Sequence, residues 1–366
     1  MPRTIRLAVI PGDGIGSEVV PEGLKVLDRV AELHGDLVWE IETFPWGCDY
    51  HAAHGRMMAE DGLDRLRGFD AIYFGAVGWP TVPDHVSLWG LRLAICQGFD
   101  QYVCLRPVKL LPGIASPLAN ATAERLDWVV VRENTEGEYA GVGGRTGAGR
   151  GLGQEVATQT AIFTEVGCTR IIRYAFDLAR TRRRPGGRVP KVTSVTKSNA
   201  QQYGMTLWDD VFRRVALDYP DVATEEWLVD AMAARFVLKP ETLDVVVGSN
   251  LFGDILSDLG SALAGSLGIA ASANIDPERR FPSMFEPVHG SAPDIAGMGI
   301  ANPIGAIWSA SMMLDHLGLG AEARAVDRAI AETTAAGILT PELGGSATTF
   351  EVGDAIRDRV QLGDGS

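Results

Sequence analysis

The chain has 366 residues, 46% of them apolar and 22% charged, with 47 acidic against 33 basic side chains and a formal net charge of −14. That length predicts two domains, at roughly 100–200 residues each, and so ordinary a composition excludes disordered, collagen-like and coiled-coil classes. The acidic balance argues against nucleic-acid and anionic-membrane partners. No apolar run reaches the roughly 18 residues of a membrane span, and the N-terminus lacks a signal-peptide core, so a soluble, cytoplasmic protein is expected. The cysteines Cys48, Cys96, Cys104 and Cys168 form no CxxC pair, which indicates neither a disulfide framework nor a zinc site.

In chain order, residues 5–10 read as a strand, followed by the turn Gly12-Asp13-Gly14-Ile15-Gly16 and a helix whose Val20, Leu24, Leu27 and Ala31 share one face. Residues 37–43 and 71–77 read as strands and 61–67 as a helix. This alternation predicts an α/β sheet, at least partly parallel, with helices on its faces. Residues 87–98 read as one helix opening onto a cleft, and 127–132 as a strand. The glycine-rich stretch 138–153 has no helical period and reads as a projecting loop or β-arm. A helix follows from 164 to about 183, with Ile171, Ile172, Ala175 and Leu178 as its apolar face. Strands at 189–195 and 243–247, a helix at 252–267 and a mostly helical C-terminus complete the pattern. No linker or repeat is present, so two lobes joined by chain crossings are expected.

Several motifs carry chemistry, each with a structural alternative. The GDGIG turn has GxGxG spacing where a dinucleotide fingerprint needs GxGxxG, and no acid closes a second strand, which favours a tight turn. Asp254 and Asp258 stand at i and i+4, on one helical face. Two carboxylates there repel unless a cation joins them, and hard oxygen ligands suit Mg²⁺ or Mn²⁺; a solvated acidic face is the alternative. Arg106 and Arg132 read as strand-end guanidiniums able to hold a small dicarboxylate, or as ordinary ion-pair partners. Lys197 and Tyr139 are candidates for proton transfer, or a surface lysine and a half-buried tyrosine. The loop His289-Gly290-Ser291-Ala292-Pro293-Asp294 could accept a nucleotide. The basic run at 180–184 reads as a solvated helix end.

Taken together, IPGDGIG at 10–16, RENTEGEY at 132–139, TKSN at 196–199, VDAM at 229–232, SNLFGDILSDL at 249–259 and FEPVHGSAPDIAG with IANP at 285–303 resemble the β-decarboxylating dehydrogenase family, which includes isopropylmalate, isocitrate, homoisocitrate and tartrate/D-malate dehydrogenases. Residues 83–90 and 99–102 are most similar to the tartrate/D-malate branch. The resemblance implies a two-domain α/β fold of the isopropylmalate/isocitrate dehydrogenase type, not a Rossmann fold, with the active site in the interdomain cleft. One lobe would combine 1–104 with 265–366, and the other would span 105–264. It implies a homodimer or larger assembly with sites shared between subunits. NAD would be held by His289, Gly290, Ser291, Ala292, Asp294 and Asn302, and preferred over NADP because Asp294 would repel a 2′-phosphate. Mg²⁺ or Mn²⁺ would be held by Asp254, Asp258 and a second subunit's Asp230, with K⁺ as a further candidate cation. Lys197, also from the second subunit, would be the base, Tyr139 the acid, and Arg106 and Arg132 the substrate clamps.

One departure stands out. Cys96 occupies a position where the family pattern has a substrate arginine, and Arg92 appears one turn earlier. Arg92 is therefore expected to take over recognition of a substrate anion. The expected activity is NAD- and metal-dependent oxidation, with decarboxylation, of a small 2-hydroxy diacid of the tartrate or D-malate type. Two alternatives are the same chemistry on a malate bearing a carboxylate or phosphonate, and a noncatalytic regulatory paralogue.

Overall fold

The computed structural model describes residues 2–149, 151–182 and 189–363. Along the chain run β1 (Arg3–Gly12), α1 (Gly16–His34), β2 (Leu37–Thr43), α2 (Cys48–His54), α3 (Gly62–Leu66), β3 (Ala71–Ala76), α4 (Asp84–Gly90), α5 (Arg92–Gly98), β4 (Val103–Lys109), β5 (Asp127–Glu133), β6 (Gly137–Thr146) and β7 (Val156–Ile162). They continue with α6 (Glu165–Thr181), β8 (Lys191–Thr196), α7 (Gly204–Ala216), β9 (Ala223–Leu228), α8 (Val229–Leu238), β10 (Val245–Gly248), α9 (Asn250–Leu263), β11 (Ala271–Ile275), β12 (Ser283–Pro287), α10 (Ile304–His316), α11 (Gly320–Ala335) and α12 (Thr349–Arg359). Among the described residues no helix is long and apolar enough to cross a membrane.

Ten strands form one sheet in the order β2-β1-β3-β12-β11-β4-β5-β10-β8-β9. Strands β2, β1, β3 and β12 pair in parallel, as do β5, β10, β8 and β9. Between these wings the β12-β11, β11-β4 and β4-β5 pairings are antiparallel. Apolar runs such as Val129–Val131 and Val245–Val247 are buried throughout, as strands covered on both faces require. At the seam, strand alternation separates two surfaces. Leu105, Ala273 and Ile275 face a groove lined by Tyr174, Leu178 and Trp308. Cys104, Arg106, Arg132, Ser272, Asn274 and Glu286 occupy the other face, where α9 packs on β4 and β5. Arg106 thus lies inside β4 and not at a strand end, because the antiparallel β4-β5 pairing carries the strand on to Lys109.

The GDGIG segment is the tight turn that its spacing favoured. Gly12 and Gly14 have φ of 70° and 55°, and a Cβ on Gly14 would collide with the Ser291 carbonyl. Of the stretch 138–153, residues 138–146 belong to β6, which pairs with β7 as an antiparallel arm, and residue 150 lies outside the described residues. The single helix expected over 87–98 is instead two, α4 and α5, because Leu91 leaves helical geometry (φ −134°, ψ −77°) and is fully buried. Of the basic run, Arg180 is exposed in the last turn of α6, as a solvated helix end would have it, and Arg182 departs from that expectation. Helix α6 stops at Thr181, and Arg182 turns inward to pair with Asp127 and Asp244 at the starts of β5 and β10; Arg183 and Arg184 lie outside the described residues.

The turn from β5 into β6 is fixed by Glu133. Its carboxylate accepts hydrogen bonds from the backbone N–H groups of Thr135 (3.0 Å) and Glu136 (2.7 Å) and from the Thr135 hydroxyl (2.8 Å). Burial pushes this carboxyl up to about 7 against the pull of those bonds. The turn places Arg132 and Tyr139 side by side, with the guanidinium carbon 5.2 Å from the ring centroid.

Helix α9 approaches β5 closely through Gly253, where a Cβ would lie 2.6 Å from Arg132 Cβ. Gly253→Ala should therefore cost about 1–3 kcal/mol of stability through overpacking, measured by denaturant unfolding. Gly144→Ala, in open space on the arm, serves as the control and should leave the midpoint nearly unchanged; equal effects of the two changes would contradict this packing.

Candidate active site

Three arginines and three carboxylates meet over the antiparallel seam. Arg132 donates through Nε and Nη2 to Asn250 Oδ1 (2.9 and 2.6 Å) and through Nη1 to Asp254. Arg106 Nη1 donates to Ser257 Oγ (2.8 Å), Asp258 Oδ1 (3.2 Å) and Asp254 Oδ1 (3.3 Å). The Tyr139 hydroxyl donates to Asp254 Oδ2 at 3.1 Å. Asn250, Asp254, Ser257 and Asp258 are spaced at intervals of three and four residues, so one face of α9 presents all four to β4 and β5. Arg92 completes the wall from α5. Its Nε and Nη2 lie 2.8 and 2.7 Å from Glu286 Oε1, and Nη2 lies 3.2 Å from Asn274 Oδ1.

The electrostatics follow from burial set against charge. Burial acts to raise the Asp254 carboxyl, and the guanidiniums of Arg132, Arg106 and Arg92 outweigh it, so the group is held below the usual carboxylate range. For Asp258, burial prevails over Arg106 and the neighbouring Asp254 adds to it, so this carboxyl is raised. The Tyr139 hydroxyl is raised by burial and by Asp254, which keeps its proton available at neutral pH.

Arg92, Arg106, Arg132, Tyr139, Asp254 and Glu286 line a small cleft of about 200 Å³ together with Val77, Leu88, Pro287 and His289. His289 also lines a second cavity, of about 770 Å³, with Ile15, Leu267, Ala292, Ile295, Asn302 and Glu342. The second is within the range of pockets that hold drug-sized ligands, about 300–1,000 Å³, and the first is below it. Burial lowers the His289 ring below its ordinary value. Its Nδ1 is 2.9 Å from the Gly290 carbonyl, while among the described residues its Nε2 is buried without a partner. A buried orphan atom between two cavities is a polar contact waiting for a ligand.

The expected residues are thus distributed over three places. Tyr139, Asp254, Arg106, Arg132 and Arg92 come together in the small cleft, with Asp258 bonded to Arg106 beside it. His289, Ala292 and Asn302 line the larger cavity, Gly290 borders the cleft, and Ser291 is buried under the turn, accepting from Ile15 N–H at 2.9 Å. Asp294 is exposed and does not line the cavity, although its neighbours Ala292 and Ile295 do. Lys197 and Asp230 pair with each other at 2.6 Å and line neither cavity. The Lys197 ammonium holds Asp230 below the usual carboxylate range.

The i, i+4 carboxylates supply hard oxygen donors of the kind a divalent cation takes. Among the described residues of one chain, however, no three His, Cys, Asp or Glu side chains converge as a ligand set. Sequence reasoning passed over Asn250 and Ser257, which the helical spacing from Asp254 would have pointed out, and Glu286, which lay inside a recognised motif without a role. It also missed Glu342, which accepts from Asn302 Nδ2 (2.8 Å) and Ser266 Oγ (3.1 Å) at the edge of the larger cavity. Glu342 belongs to a single 3₁₀ turn, Pro341–Leu343, far from the other residues in sequence, and carries no local signal.

A family described as isocitrate/isopropylmalate dehydrogenase matches residues 6–356. A protein of Agrobacterium vitis named "Probable tartrate dehydrogenase/decarboxylase" is 58% identical over 358 residues, covering 98% of both chains. The D-malate dehydrogenase (decarboxylating) of Escherichia coli K12 is 52% identical over 363 residues, covering 97% of this chain and 98% of that one. The crystal structure of isocitrate dehydrogenase from Methylococcus capsulatus superposes with a TM-score of 0.85 at 35% identity, covering 97% of this chain and 99% of the other. A likeness that spans the whole sheet and nearly the whole sequence leaves one assignment: the chain belongs to the isocitrate/isopropylmalate dehydrogenase family.

Proposed function

We propose that the protein is an NAD- and divalent-cation-dependent dehydrogenase that oxidises and decarboxylates a small 2-hydroxy diacid of the tartrate or D-malate type. The observation that carries this reading is the Tyr139 hydroxyl bonded to Asp254 between two arginines, in a cleft that shares His289 with a much larger cavity. The names and high identity of the Agrobacterium and Escherichia relatives support the substrate class. The two lobes would be 1–104 with 265–366, and 105–264, and the setting cytoplasmic.

In this reading Arg106 and Arg132 bind the substrate carboxylates as planar forks. Lys197 of a second copy would take the proton from the substrate hydroxyl, and NAD, when bound, would supply the hydride acceptor. After CO₂ departs, Tyr139 gives its proton to the enol carbon, and Asp254 orients the phenol for that transfer. Asp254 and Asp258, with Asp230 of the second copy, would hold Mg²⁺ or Mn²⁺, which supplies Lewis-acid stabilisation of the developing oxygen charge. The exposed pairing of Lys197 with Asp230, away from both cavities, supports their delivery to a neighbouring subunit. His289, Ala292 and Asn302 would hold NAD in the larger cavity, with Gly290, Ser291 and Asp294 on the adjoining loop, and the acids Asp294 and Glu342 would repel a 2′-phosphate.

The reading is tested by assaying tartrate isomers, D-malate, 3-isopropylmalate and isocitrate for NADH formation with Mn²⁺. A tartrate or D-malate should give the highest kcat/KM, NAD should exceed NADP at least tenfold, and exhaustive chelation should abolish turnover. Turnover of none of these acids, equal use of the two cofactors, or full activity after chelation would each overturn the corresponding part.

Shared sites make a separate expectation. Mixing inactive Lys197→Ala chains with inactive Asp254→Asn chains should restore part of the activity, because some hybrid sites carry neither lesion. No recovery after confirmed subunit exchange would place each site within one chain.

A further inference from the structure

Arg92 stands where a substrate anion could be held, yet its charge is already spent. It is 8% exposed and Glu286 is 4% exposed. Both of its bonds to Glu286 fall on Oε1, which also accepts from Asn274 Nδ2 at 2.7 Å. Asn274 Oδ1 in turn accepts from Arg92 Nη2 (3.2 Å) and Asn134 Nδ2 (3.0 Å). The asparagine amide is therefore fixed in one orientation, and the ion pair is held in register by β11 and β5. Cys96 is fully buried under this group, and burial pushes its thiol up to about 12, so it stays neutral. The wall formed by α5 and β12 thus contributes one cation and one anion, whose sum is zero.

We propose that Arg92 is a positioning residue for Glu286, and that this neutral Arg92–Glu286 wall makes the cleft selective for dianionic 2-hydroxy diacids over substrates carrying a third anionic group. This rests on the reading of the site as one for a 2-hydroxy diacid. Glu286 lines the cleft together with Arg106, Arg132, Tyr139 and Asp254. Its bonds to Arg92 and Asn274 all fall on Oε1, which leaves Oε2 to accept a bond from a neutral hydroxyl substituent. Toward a carboxylate or phosphonate at the same place it is a like charge in a partly desolvated cleft, and rejection of a wrong partner by such a contact is strong. An arginine free of Glu286 would have had the opposite preference.

The proposal predicts an order set by the net charge of the wall. The quantity read is the ratio of isocitrate (a trianion) to D-malate (a dianion), both in kcat/KM and in equilibrium dissociation constants from calorimetry. Glu286→Gln leaves a wall of +1 and should raise that ratio at least tenfold. Arg92→Met leaves −1 and should lower it. The double variant is neutral again and should return the ratio to near the wild-type value, even where its absolute rates are lower. A merely structural role would reduce both substrates together and would not produce this order. Should Glu286→Gln fail to fold, the near-isosteric Asn274→Asp adds a negative charge beside the pair and should lower the ratio. An unchanged ratio across these variants, in a protein that does oxidise a 2-hydroxy diacid, overturns the wall. Failure of the wild type on every diacid overturns the functional reading instead, and the calorimetric ratios still decide whether the wall discriminates charge.

Discussion

Everything in the site turns on one carboxylate. Asp254 stands on α9 above the antiparallel seam, where Arg106 and Arg132 hold it ionised and Tyr139 donates to it. A carboxylate taken this far out of water is tolerable only when paired and hydrogen-bonded. Once paired, it fixes the positions of all its partners. The same contacts that keep Asp254 charged therefore aim two arginine forks and a phenol at one small volume. Gly253 makes this possible by letting α9 lie directly against the stem of Arg132.

The seam explains why a single sheet can carry such a site. The inner strands of the parallel wings, such as β3 and β10, are apolar and buried on both faces and could hold no cleft there. Where β12, β11, β4 and β5 reverse direction, polar side chains gather on one face and apolar ones on the other. The glycine turn after β1 contributes from a distance: Gly14 lets the chain touch the Ser291 carbonyl, and so supports the loop that carries His289. Arg92 and Glu286 close the remaining side with a charge-balanced pair. The architecture thus separates a charged floor, a neutral wall and a larger cavity reached through one histidine.

Much of this was legible in the sequence, for reasons that can be named. Apolar runs such as DWVVVR and the 3–4 spacing of α1, α6 and α9 report burial directly, and those elements lie where expected, within a few residues. The pairing of Asp254 with Asp258 followed from helical geometry alone. What stayed hidden depended on contacts distant in sequence. The break at Leu91 reflects burial of one side chain in the core. The inward turn of Arg182 needs Asp127 and Asp244, and the engagement of Arg92 needs Glu286, 194 residues away. Neither periodicity nor motif spacing encodes which of two buried charges will meet. The exposed position of Asp294 and the presence of Glu342 in the cavity wall were hidden for the same reason.

In the proposed function, Asp254 is the point where the cation, the substrate and the proton donor would meet. The most direct test is the binding of Mn²⁺ to the purified protein, followed by the electron paramagnetic resonance signal of the free ion, for wild type and Asp254→Asn. The account predicts saturable binding to the wild type and at least tenfold weaker binding to the variant, with the fold unchanged by circular dichroism. Equal Mn²⁺ affinity in the two proteins would contradict it.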